Sequence, residues 1–169
     1  MEFTYPDVGA TRDMTAVPTG YRYVERRGLL GSGERTFTDG AAALRDWRMF
    51  RAAGLRVDAS APAVDVGVEV RVGLGAGPVR LWAPCRVVWV VDEADRCGFG
   101  YGTLPGHPAS GEEAFEVVRE TGGKVWFAVR AFSRPATWYA KLGGPATRAA
   151  QRWAARRYLA GMRRLTQGG

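Results

Sequence analysis

At 169 residues, with 46% hydrophobic, 24% charged and 11% aromatic positions, the chain has the size and apolar content of one globular domain spanning 1–169. These fractions exclude a disordered polymer, and the lack of any sustained three- or seven-residue repeat excludes collagen and coiled coil. The net charge of +7 belongs to one element: beyond Pro135, Lys141, Arg148, Arg152, Arg156, Arg157, Arg163 and Arg164 occur with no acidic residue.

After an arm punctuated by Pro and Gly, Tyr21 to Leu30 mixes aromatic and aliphatic with charged residues and stops at Gly31-Ser32-Gly33, as a strand would. A helix follows. Thr38 is its expected N-cap, Ala43, Leu44, Trp47 and Phe50 recur at three- and four-residue spacing, and Gly54 is its stop. Val66, Val68, Val70, Val72 and Leu74 then alternate with polar or glycine positions, the period of a strand with one face in a core. Gly73-Leu74-Gly75-Ala76-Gly77-Pro78 resembles a phosphate loop on the surface, yet Pro78 leads into another strand-like run rather than a helix, so a hairpin is expected.

Four more strands are expected near residues 80–91, 96–103, 113–120 and 124–133. Their short connections favour antiparallel pairing, because a parallel crossover needs a dozen residues or more. Pairing Val91 with Arg96 sets Cys85 opposite Gly102, about 16 Å from Cys97 at ~3.3 Å per residue. The two cysteines are therefore expected to be reduced, and with His107 they do not match a structural zinc spacing. Beyond Pro135, Trp138, Leu142, Ala146, Ala149 and Trp153 fall on one helical face, with Gly143-Gly144-Pro145 expected to break the helix.

Strand, helix, five strands and a long helix describe an α+β fold of the helix-grip type: a curved antiparallel sheet wrapped around a long C-terminal helix. A sheet with both helices packed tightly on one face, and no cavity, is the alternative. No run reaches the ~18 apolar residues of a membrane span, and the first residues lack the basic and apolar regions of a signal peptide, so a cytoplasmic protein with no transmembrane segment is expected.

Several segments resemble one uncharacterised family, domain of unknown function nineteen-ninety. They are Phe3-Thr4-Tyr5-Pro6 with Val8-Gly9-Ala10-Thr11, Pro18-Thr19-Gly20-Tyr21, Gly31-Ser32-Gly33, the helix bearing Leu44, Trp47 and Met49, Ala83 to Val88, and Phe132-Ser133-Arg134-Pro135. The most specific stretch runs from Gly98 through Thr103-Leu104-Pro105-Gly106-His107-Pro108 to Gly111-Glu112-Glu113. The family is similar in pattern to the START-like helix-grip superfamily. That resemblance implies a fold and supplies no mechanism.

His107 precedes Glu112 and Glu113 by a few residues, and a carboxylate beside an imidazole makes an acid-base pair. A turn fixed by two prolines, with solvated carboxylates, accounts for the same residues, and no positioned nucleophile accompanies them. The later strands concentrate aromatics beside Gly98, Gly100 and Gly102, glycines that strip the side chains from one strand face. That hollow is expected to look at the terminal helix and to hold a small apolar or amphipathic molecule, with Trp89, Gly100, Tyr101, Phe132, Arg134 and Trp138 as its ligand-binding residues and Arg86 or Arg134 at its mouth. No cofactor and no metal are expected. An enzyme of the same fold using His107 with Glu112 or Glu113 is the second reading. A third is a binder of anionic surfaces through the stripe Lys141, Arg148, Arg152, Arg156 and Arg163. A solvated helix face explains that stripe as well, and no specific nucleic acid is expected as partner.

Overall fold

The computed structural model describes residues 2–13, 17–76, 79–136 and 144–167. Seven strands make one antiparallel sheet: β1 (Arg22–Ser32), β2 (Arg56–Ala59), β3 (Glu69–Ala76), β4 (Val79–Asp92), β5 (Arg96–Thr103), β6 (Ala109–Arg119) and β7 (Lys124–Pro135). Their spatial order is β1-β7-β6-β5-β4-β3-β2, which draws the first strand to the last and leaves two open edges. Three helices, α1 (Glu34–Arg45), α2 (Arg48–Ala52) and α3 (Gly144–Gln167), lie on one face, with α3 against β1 and β7. This is the expected helix-grip arrangement of the α+β class.

The helix expected from Thr38 starts earlier and is broken. Gly33 caps α1 with a positive φ of 89°, a conformation that costs glycine little, and Glu34 faces the positive end of the helix dipole in its first turn. Trp47 then takes φ 58°, unusual for a bulky residue, and ends the run. The turn is held because it buries the indole, 1% exposed, against Phe50 and Phe99 and lets Trp47 Nε1 donate to Ala61 O at 3.2 Å. Gly54 closes α2 with φ 81°, as a C-terminal glycine does. β2 was not expected: its Arg-Val-Asp-Ala alternation is only four residues long, too short to stand out, although Val57 and Ala59 do pack on the core; it pairs with β3 from Arg56↔Gly73 to Ala59↔Val70. β3 and β4 form the expected hairpin, and Val70 and Val72 are buried while Val66 lies outside the strand and is exposed.

Between β4 and β5 the expected register is corrected. Asp92 rather than Val90 pairs with Cys97, a slip of two residues, and a bulge at Val88, between Val87↔Tyr101 and Trp89↔Gly100, takes one back, so that Cys85 lies opposite Thr103 rather than Gly102. One extra residue also exchanges faces. Cys85 and Val87 point into the helix-side core, whereas Trp89 and Val91 point to the opposite face, where they pack with Ala114. Both cysteines are free, as expected; both are also buried, and burial pushes both thiols up.

The helix-side core is centred on Trp47, Phe50, Phe99, Tyr101, Phe115 and Tyr158, whose neighbouring ring centroids lie 5.3–6.2 Å apart, largely edge to face. Tyr158 and Met162 anchor α3 there, and Gly161 lets the helix approach the backbone at Ala52. The apolar face expected through Ala149 and Trp153 is thus displaced: both are exposed, and Arg157 stacks over the Trp153 ring at 4.9 Å. Trp138 and Gly143 fall outside the described residues.

Candidate functional site

The glycines of β5 face away from the helices, so the hollow expected toward α3 is not there. The N-terminal arm fills that opposite face instead. A Cβ on Gly102 would collide with the Tyr5 ring, one on Gly98 with the backbone of Phe115, and one on Gly100 with the Trp89 indole and, at 2.9 Å, with Thr11 Oγ1. The arm is fastened by Glu112, 2% exposed. Its Oε2 accepts from Tyr5 OH and Gly9 N, both at 2.7 Å, and its Oε1 from Thr11 N at 2.9 Å and from the Thr11 hydroxyl, which in turn accepts from Trp89 Nε1 at 2.9 Å. Ser110 and Thr103 hold Thr4. These contacts give the Phe3-Thr4-Tyr5-Pro6 and Val8-Gly9-Ala10-Thr11 segments a physical role: they supply the donors that a buried carboxylate needs.

The structure divides the residues that the sequence grouped together. Trp89, Gly100 and Phe132 lie on the arm face, with Phe132 edge-on to Tyr5 and Tyr21, whereas Tyr101 lies on the helix face. Arg134 covers the Tyr21 ring, and Arg86 pairs with Glu69 beside Phe3, so neither stands at the mouth of a helix-side cavity. His107 is joined to neither carboxylate. Its Nδ1 accepts from Ala109 N at 2.9 Å, which fixes the turn, and burial lowers the imidazole to about 4. An acid-base pairing of His107 with Glu112 or Glu113 is not assembled here.

Glu113 has a different partner. It faces the helices opposite Tyr101 in the β5–β6 register, and Tyr101 OH donates to its Oε2 at 2.9 Å. The residue is half-buried, and its desolvation pushes the carboxyl up to about 7 while the Tyr101 hydrogen bond pulls it down. An acid raised above its ordinary 4.5 holds a proton that the unfolded chain has lost, so its contribution to stability is present below pH 4.5 and is lost as the pH rises through 7. Glu113→Gln is therefore expected to gain about 1 to 3 kcal/mol relative to the parent between about pH 5 and pH 8. Denaturant melts of both proteins across that range check it; a pH-independent difference would contradict it. His107 acts in the opposite sense, since its contribution is lost as the pH falls from 6.5 toward 4, but it is common to both proteins and cancels.

A groove of about 160 Å³ opens between the sheet and α3. Phe127, Val129, Gly28, Ala155 and Leu159 form its apolar floor and wall, and Arg26, Arg27, Arg152 and Arg156 rim it. Gly28 is a strand glycine with a reason: a Cβ there would run into the Leu159 side chain, so glycine lets α3 settle on β1. Arg27 is engaged by Glu120 and Trp126. Arg152 and Arg156 are exposed, and no partner for either is found among the described residues. The sequence marks these two as part of a basic stripe; that they border an apolar floor depends on how α3 is seated, which no local pattern reveals.

The sequence matches the family described as a domain of unknown function, DUF1990, over residues 4–161. The chain belongs to the DUF1990 family. A UPF0548 protein of Deinococcus radiodurans is 39% identical over 165 residues, covering 92% of this chain and 83% of the relative. A UPF0548 protein of Arabidopsis thaliana is 32% identical over 144 residues, covering 81% and 69%. Among solved structures, a hypothetical protein of Helicobacter pylori superposes with a TM-score of 0.66 at 9% identity, over 96% of this chain and 94% of that one. Norcoclaurine synthase of Thalictrum flavum, solved as a point mutant with a transition-state analogue, gives 0.57 at 12% identity, over 86% and 95%. At these identities the structural likeness shows the fold alone, which is the helix-grip fold. No helix among the described residues is long and apolar enough to cross a membrane, and none of their His, Cys, Asp and Glu side chains cluster as a metal site would.

Proposed function

We propose that the protein binds a small amphipathic molecule between the sheet and α3, with the apolar part of the ligand on Phe127, Val129 and Leu159 and an acidic group at the arginine rim. The observation that carries this reading is the combination in one groove of an apolar floor with Arg152 and Arg156, two guanidinium groups for which no partner is found among the described residues. Burial of a ring or short chain supplies the affinity, about 25 cal/mol per Å² of apolar surface removed from water, and the guanidinium groups select an anion and orient it. The groove is below the roughly 300–1,000 Å³ of a drug-sized site, so it suits one ring or a short chain with its head at the surface. The helix-grip neighbours support the location, since in this fold sheet and terminal helix enclose the ligand space.

Anilinonaphthalene sulfonate, an aromatic body with one sulfonate, is a suitable probe. Its fluorescence is expected to rise on binding, and a double Arg152→Ala, Arg156→Ala variant should weaken binding by about tenfold or more, roughly 1.4 kcal/mol. The parent affinity should fall with added salt, because a rim-exposed charge contact is screened. Equal binding by parent and double variant would remove the basis for this reading. Native mass spectrometry of the purified protein addresses what the natural ligand is.

A further inference from the structure

β6 carries two buried glutamates and a half-buried one, and the protein satisfies them unequally. Glu112 receives four donors from the arm, and Glu116 pairs with both Arg96 and Arg130. Glu113 receives only the Tyr101 phenol, on Oε2, and its Oε1 has no hydrogen-bond donor among the described residues. Among the described residues the groups facing it carry no compensating charge: Tyr101 from β5, Tyr158 from α3 and Cys85 from β4, with Ala131 opposite it on β7. Glu113 is half-buried and its free Oε1 is not sealed from solvent, so an incoming cation can reach it, while the enclosed part of the carboxyl is unfavourable to ionise without one.

We infer that Glu113 and Tyr101 form a recognition site for a protonated primary amine. The ammonium group would bring the positive charge that the described residues do not supply, making a charge-assisted hydrogen bond to Oε1 while the Tyr101 oxygen offers a second acceptor. A guanidinium group fits less well, because its fork needs both carboxylate oxygens and Oε2 already accepts from Tyr101. The rings of Tyr101, Phe115 and Tyr158, with centroids 5.3–5.4 Å apart where they meet Phe115, supply aromatic surroundings that favour a cation with an apolar body. The inference does not rest on the groove: Ala131, opposite Glu113, lies two residues along β7 from Val129 of the groove floor, so one molecule can span both sites or two can bind separately.

The test uses naphthylmethylamine, which stays protonated below about pH 9, in fluorescence titrations at about pH 6 and pH 8.5. The parent protein is expected to bind it about tenfold more tightly at the higher pH, as the carboxylate forms. Glu113→Gln should bind weakly at both. Tyr101→Phe should keep the binding but move its midpoint to higher pH, since it loses the hydrogen bond that favours the carboxylate. Naphthylmethanol, neutral and of the same shape, should bind poorly. The inference is overturned if the parent does not bind the amine, if Glu113→Gln binds it equally, or if the alcohol binds as tightly. Sulfonate-probe binding by Glu113→Gln shows that the variant is folded and keeps the two readings apart: failure of that probe on the parent removes the groove alone.

Discussion

Replacing Glu112 by alanine is expected to lower stability by roughly 3 to 5 kcal/mol, the cost of deleting one side of a buried, fully bonded charge. Four donors converge on this carboxylate, and hydrogen bonds to a charged group contribute ~1.5–3 kcal/mol each before the freed donors regain water. The arm cannot stay docked without the carboxylate, because Tyr5, Gly9 and Thr11 would all point into an empty, dry site. Its release uncovers Trp89 and the glycine face of β5. The thermal midpoint should fall by on the order of 10 °C for a chain of this size. Glu112→Gln should do less damage but remain unstable, since its amide nitrogen turns a donor toward donors. Limited proteolysis supplies a second readout, with new cleavage expected in the first dozen residues. A midpoint within about 2 °C of the parent would show that the arm is held by something else.

The helix-grip order was legible because β3 alternates cleanly and the short connections from β4 to β7 force antiparallel pairing. What sequence periodicity could not supply was the choice of face. Gly98, Gly100 and Gly102 do strip one face of β5, but alternation is symmetric and does not say whether arm or helix fills the space. The bulge at Val88 compounds this, since it moves Trp89 to the arm side while Val87 stays with the helices, a flip that has no local signature in Arg86-Val87-Val88-Trp89-Val90. Trp47 shows the same limit. Its apolar spacing with Leu44 and Phe50 reads as one continuous helix, yet the burial of its indole overrides the helical backbone.

The candidate site was legible in parts but not in combination. Glu113 and Tyr101 both stood out, one as an acid-base candidate beside His107 and the other as a pocket aromatic, twelve residues apart and in different roles. They meet because the β5–β6 register sets them opposite each other, a pairing fixed by the geometry of the Leu104–Pro108 turn rather than by spacing. His107 serves that turn through Ala109 and takes no part in either carboxylate's hydrogen bonding. Adjacent carboxylates on a strand must part in this way. One becomes the anchor of the arm and the other looks into the helix-side interior.

Gly100→Leu is the second large effect, and it separates a filled face from a hollow one. Were the glycine face hollow, leucine would occupy free space and the domain would keep or gain stability. In this structure a Cβ at residue 100 already lies within the van der Waals envelope of the Trp89 indole and 2.9 Å from Thr11 Oγ1. Three further carbons must displace the indole, which breaks its hydrogen bond to Thr11 and loosens Thr11 from Glu112. Overpacking costs ~1–3 kcal/mol, and disrupting the network adds to it, so a loss of about 3 kcal/mol or more is expected. Gly122→Ala is the control, since a Cβ there meets nothing within 4 Å; it should change stability by less than about 0.5 kcal/mol. Because both changes free the same arm, Gly100→Leu in an Glu112→Ala background should cost at least about 1 kcal/mol less than it does alone. Strict additivity in that cycle would mean that the glycine face and the arm are energetically separate, and a stable Gly100→Leu protein would mean that the arm does not occupy that face in solution.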